Sequence, residues 1–180
     1  MSSQTIDEII VLIEKKLGLK LGFFEALDDE NENDWSFVIK LHALAEAAIS
    51  YLLTENLGRP ELADIFARLD MSNKATGKAA FVKALGLLDE PERRFVSALS
   101  ELRNKLVHGV QNVDFDLAQH VEQMKPRDRD GFLNNFNLVS TEVTDDVRDL
   151  FRHDPRQALW YSSMAFLAAV YLGLNTGEPR

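Results

Sequence analysis

Between Asp89 and Gly109 the chain reads DEPERRFVSALSELRNKLVHG, and this stretch limits the available folds more than any other. Asp89 or Glu90 followed by Pro91 marks a helix start, because proline lacks an amide hydrogen that the first helical turn leaves unpaired anyway. Phe95, Leu99, Leu102 and Leu106 recur at helical spacing as one apolar stripe, and such a stripe requires a core to pack on. Gly109, just past the last apolar residue, is expected to stop the helix in a left-handed conformation.

Similar signals recur along the chain. Thr5 to Leu17 is helical in pattern, and Gly18 and Gly22 break it before Phe23 and Phe24, which can pin the segment onto a core. Such an amino-terminal segment suits an arm packed on a partner subunit. Glu25, Asp28, Asp29, Glu30, Glu32 and Asp34 form an acidic run read as a solvated linker. A long helix is expected from Asp34 to about Glu55, stopped by Leu57-Gly58-Arg59-Pro60. Glu61 to Leu69 suits a short helix, and Asn73 or Thr76 a cap for the next, where Lys74, Lys78 and Lys83 read as a solvated face. Asp114 to Met124 suits a helix, KPRDRD at 125–130 a polar turn, and Thr144 to Phe151 a further helix. Asp154-Pro155 begins a last helix that is apolar nearly all round, so it belongs at the centre or at a subunit interface, before a frayed tail from Gly173. Alternating β-branched residues are too scarce for a sheet. The expectation is an all-α, up-down bundle of about six to eight helices, with an amino-terminal helix and acidic linker at 1–33 and a bundle domain at 34–175.

Composition narrows the function classes. Cysteine is absent, which excludes disulfides, thiol catalysis and cysteine-ligated metals and fits a reducing compartment. GKAAFVKALG lacks the glycine density of a phosphate loop, and neither HExxH nor a calcium loop occurs, so no metal or cofactor is expected. The amino terminus lacks a secretory pattern and the run from Ala158 to Asn175 falls short of a bilayer, so the expectation is cytoplasmic, without a membrane partner. A net charge of −9 argues against general nucleic-acid binding, which needs lysines and arginines against phosphates.

The chemistry-bearing residues lie at the end of the Asp89–Gly109 helix. Asn104 and His108 are four apart and share a face, whereas Arg103 stands about 140 degrees from His108, at roughly 100 degrees per residue. Arg103 and His108 therefore converge only if the last turn unwinds or two copies of the helix meet. A permanent guanidinium, an imidazole that titrates near neutrality and an amide orienter suffice to cleave RNA through its own 2′-hydroxyl. The same arginine and histidine equally suit the capping of a helix carboxyl end. On the long helix, Glu46 lies beside the apolar side and calls for a cation, with Arg103 the expected partner, and His42 reads as a hydrogen-bonded interior histidine.

Arg103, Asn104, three intervening residues and His108 resemble the arginine, polar residue, three variable residues and histidine of the HEPN superfamily, helical domains that include metal-independent ribonucleases. The wider LGLLDEPERRFVSALSELRNKLVHG is similar to the related mannitol operon repressor family. The likeness is confined to these residues, apart from an agreement in length and in the helices from Trp35 onward. It implies a helical regulatory or interaction protein, working as a homodimer or with a protein partner. The alternative it implies is a ribonuclease acting on RNA, with Arg103 and His108 catalytic and Asn104 supporting. By its own position beside the apolar side of the long helix, and not by the resemblance, Glu46 would tune that constellation.

Overall fold

The computed structural model describes residues 6–27, 33–71, 73 and 75–172. The chain is all-α: the described residues form ten α-helices and two short 3-10 turns, with no strand among them. The short helices α4 (Ala63–Arg68), α5 (Lys78–Ala84) and α7 (Leu117–Glu122) lie where the sequence suggested them, and the count exceeds the expected six to eight because α2 (Phe23–Leu27) and α8 (Pro126–Phe136) are helical as well. The tail from Gly173 and most of the acidic run, 28–32, lie outside the described residues.

Helix α3 (Asp34–Leu57) is the axis of the bundle, packed against α10 (Pro155–Leu172) and α6 (Glu90–Val107), with α4 and α5 along its carboxyl half. It is held at both ends by local chemistry. The Asn33 side chain accepts from the Trp35 and Ser36 amides, and Gly58 closes the other end at φ 59°, a left-handed conformation that favours glycine. By length and composition α3 would cross a bilayer, yet Phe37, Val38, Leu41, Ala48, Ile49 and Leu53 are buried within the bundle core. A buried core helix meets the same apolar criterion as a membrane span.

The core is continuous across the expected 33/34 boundary. Ile13 of α1 (Ile6–Leu17), together with Phe24 and Leu27 of α2, belongs to the same buried set as the α3 and α10 side chains. Helix α1 packs against the chain's own α10. Its Glu14 is buried, and its two carboxylate oxygens accept from the Gly22 and Phe24 amides at 3.0 Å each. The carboxylate thereby satisfies amides at the start of α2 that have no intrahelical partner.

Three sequence expectations are corrected. Lys125 to Asp130 is not a turn: α8 runs Pro126–Phe136 and begins within KPRDRD, while Arg129 donates to the Met124 and Glu122 carbonyls that end α7. Neither Asn73 nor Thr76 caps α5. Its N-cap is Gly77, and the Asn73 side chain instead accepts from the Ala75 and Thr76 amides in the preceding turn. Gly109 has φ −147° and is extended, not left-handed, so His108 is the residue that ends α6.

Asp34 and Arg156 join four segments. Asp34 Oδ1 accepts from Arg156 at 2.6 Å and Oδ2 from the Leu117 amide at 2.7 Å, while Arg156 also donates to the Leu27 carbonyl at 3.1 Å. The guanidinium carbon lies 4.2 Å from the centre of the Phe37 ring, a cation–π contact. Asp34→Ala is expected to lower the unfolding free energy by about 2–4 kcal/mol in equilibrium urea denaturation. Asp34→Ala combined with Arg156→Ala should cost clearly less than the two separate losses added together.

Candidate functional site

Helix α6 starts as its sequence requires. Asp89 is the N-cap and Glu92 completes a reciprocal capping box, each side chain accepting the other's backbone amide. Its buried stripe of Phe95, Val96, Leu99, Leu102 and Leu106 meets α3 and, across the other flank, α8.

The far end of α6 is capped by residues that its own sequence does not supply. The Trp35 indole donates to the Leu106 carbonyl at 3.2 Å, and the Asn112 amide donates to the Lys105 carbonyl at 2.7 Å and to that of Leu106 at 3.4 Å. The Lys105 and Leu106 carbonyls of the last turn are thus satisfied by α3 and by the 3-10 turn Val110–Asp114, without a left-handed glycine. A methyl group at Gly109 would instead strike the Gln111 side chain, 2.5 Å from the position of a Cβ.

Neither Arg103 nor His108 takes part in this cap. Arg103 is half-buried and donates to the Asn104 side-chain oxygen at 3.1 Å. His108 is exposed and makes no hydrogen bond among the described residues. The two are not joined within one chain, as their angular separation on the helix requires. Glu46 does not reach Arg103; its Oε1 pairs at 2.7 Å with Nζ of Lys78.

Lys78 overturns the reading of a solvated lysine face. Its side chain is 1% exposed, and beyond Glu46 its ammonium has the Ala67 carbonyl at 3.4 Å. Lys78 is the first residue of α5, and Lys83, on the same helix, is exposed as expected. A buried ammonium needs a carboxylate, and the partner that sequence spacing missed stands 32 residues away. An isolated lysine among alanine, phenylalanine and valine, directly after a glycine, was the available signal.

His42 lies one turn before Glu46 on α3, buried, with its Nε2 at 3.3 Å from Ser100 Oγ. Ser100 donates to the Val96 carbonyl at 2.9 Å, which leaves its oxygen to accept from the imidazole Nε2. Burial lowers the His42 pKa below its ordinary 6.5; Glu46 opposes the shift, and the positive charges of Arg103 and Lys78 add to it. The polar seam between α3 and α6 therefore holds a neutral histidine, a carboxylate engaged by lysine, and a guanidinium one turn beyond the serine. As arranged, Ser100 is not an activated nucleophile, because its proton is directed at a backbone oxygen.

Two outcomes test the seam. Glu46→Ala strands a buried ammonium and should cost about 3 kcal/mol in urea unfolding, whereas Lys78→Met leaves a carboxylate 34% exposed and should cost clearly less. The second concerns acid. Because the folded His42 pKa is depressed, the unfolded chain takes up the proton first; this stability is complete above pH 6.5 and is lost as pH falls through the folded value. His42→Gln should flatten the fall of the urea midpoint between about pH 7 and 5. Burial of His120 acts in the same direction, so part of the slope should remain.

Compared with models of known protein families, with curated proteins and with solved structures, the chain gives no match.

Proposed function

We propose that the chain is a cytoplasmic regulatory and interaction protein of the mannitol-operon-repressor type, acting as a homodimer through the outer face of α4 and α5. The observation that carries this reading is the apolar surface those helices leave in water. Ile65 is 56% exposed, Phe81 40% and Leu85 42%, and Leu85, the C-cap of α5, follows Phe81 by four residues on the same side. The Phe81 ring meets that of Phe66 edge-on at 5.8 Å, which joins α4 and α5 into one surface. Large exposed apolar side chains gathered on adjoining helices mark an interaction surface more than a solvated one. The net charge of −9 favours a protein partner over DNA.

The second reading is a metal-independent endoribonuclease, and one observation favours it. Trp35 and Asn112 cap α6, so Arg103 and His108 are free of the structural task that would otherwise account for them. In that reading His108 takes the proton of the 2′-hydroxyl as it attacks phosphorus, or protonates the departing 5′-oxygen. Arg103, held by Asn104, steadies the charge on the phosphorane, and the products are a 2′,3′-cyclic phosphate and a free 5′-hydroxyl. Two α6 carboxyl ends would have to face each other across a two-fold axis, an interface different from the α4–α5 face.

Sedimentation equilibrium separates these readings. The first expects a mass of two chains that falls to one in the Phe81→Glu, Leu85→Lys variant with helix content retained. A single-chain mass for the parent protein would remove the dimer, and an unchanged dimer in the variant would move the interface elsewhere. RNA cleavage in excess chelator, lost on His108→Ala with the fold intact, would install the second reading instead.

A further inference from the structure

A cleft of about 360 Å³ opens between α5 and α6, at the lower end of the size range of small-molecule sites. Its apolar wall is made by Met71, Val82, Leu88 and Val96, all buried members of the core. The charged residues along it are Lys83 and Arg93, both positive. Neither forms an ion pair among the described residues. The nearby carboxylates are engaged elsewhere: Asp89 and Glu92 in the capping box and Glu90 with Arg94. Arg93 donates to the Leu88 carbonyl, which holds its guanidinium at the cleft and lowers the entropy lost on meeting an anion. The deep polar group is already satisfied, since Ser100 is shared between His42 and the Val96 carbonyl.

We propose that this cleft binds a small amphipathic monocarboxylate, its hydrocarbon or aromatic body against Met71, Val82, Leu88 and Val96 and its carboxylate between Lys83 and Arg93. Each part of that class answers a feature of the cleft. A neutral hydrocarbon would make no use of Arg93, held at the cleft by the Leu88 carbonyl, or of the exposed Lys83 beside it. A polyphosphate would bring more charge than two cations offset and would leave the apolar wall uncovered. The site does not depend on the regulatory reading, because it rests on the α5–α6 cleft and not on the outer face of α5.

Octanoate and octanamide serve as the probes, titrated calorimetrically into the full-length chain. Octanoate should bind one to one with a Kd on the order of 10–100 μM, and octanamide about tenfold or more weaker. Lys83→Gln with Arg93→Gln should bring octanoate down to the level of the amide. Ala80→Phe, which fills the cleft from its wall, should abolish binding of both with the thermal transition preserved. If removing the Leu88 contact destabilises the double variant, Lys83→Gln alone should still weaken octanoate selectively. Equal affinity for acid and amide, binding that persists in Ala80→Phe, or no octanoate binding at millimolar concentration would each overturn the proposal.

Discussion

Asp34 and Arg156 form the interaction on which the arrangement of this bundle most depends. They stand 122 residues apart, and together they orient the starts of α3, α7 and α10 and the end of α2. The location is economical in hydrogen-bonding terms. Helix starts expose unpaired amides and helix ends unpaired carbonyls, so one carboxylate and one guanidinium can satisfy a group of each kind while also neutralising each other. The aromatic face of Phe37 covers the guanidinium and reduces its access to water, which strengthens the pair at the cost of desolvating it.

The α3–α6 seam follows another logic. Hydrophobic packing sets the distance between the helices, and the polar residues along their contact must then find partners within it. His42 and Ser100 resolve this with neutral groups, whereas Glu46 recruits the Lys78 ammonium from a third helix. That recruitment locates α5, a helix of seven residues too short to hold its place by its own propensity. Through Lys78 the position of α5 is coupled to α3, and with it both the α5–α6 cleft and the outer apolar face.

Local signals made most elements legible in the sequence. The α6 start could be read because proline, the capping aspartate and the apolar stripe lie within a few residues of one another. The α3 stop was equally legible, because a left-handed glycine acts on its own neighbours. What could not be read was decided by distant chain. Gly109 needed no left-handed turn once Trp35 and Asn112 arrived, Arg129 turned a polar stretch into a helix start that also caps α7, and Glu46 exchanged its expected Arg103 for Lys78. The motif residues were legible as a pattern. Their separation within one chain also followed from helical geometry, but their freedom from capping depended on contacts between elements.

The place of α10 carries a consequence for synthesis. Helix α10 is made well after α3, whose apolar side it covers. At roughly 5–20 residues per second, the interval between the end of α3 and the emergence of α10 lasts on the order of 5–20 s. Throughout that time the nascent chain holds a long apolar helix with neither its central partner nor the Arg156 counter-charge for Asp34. The ribosome-bound intermediate is therefore the form of this protein with the greatest need of a chaperone.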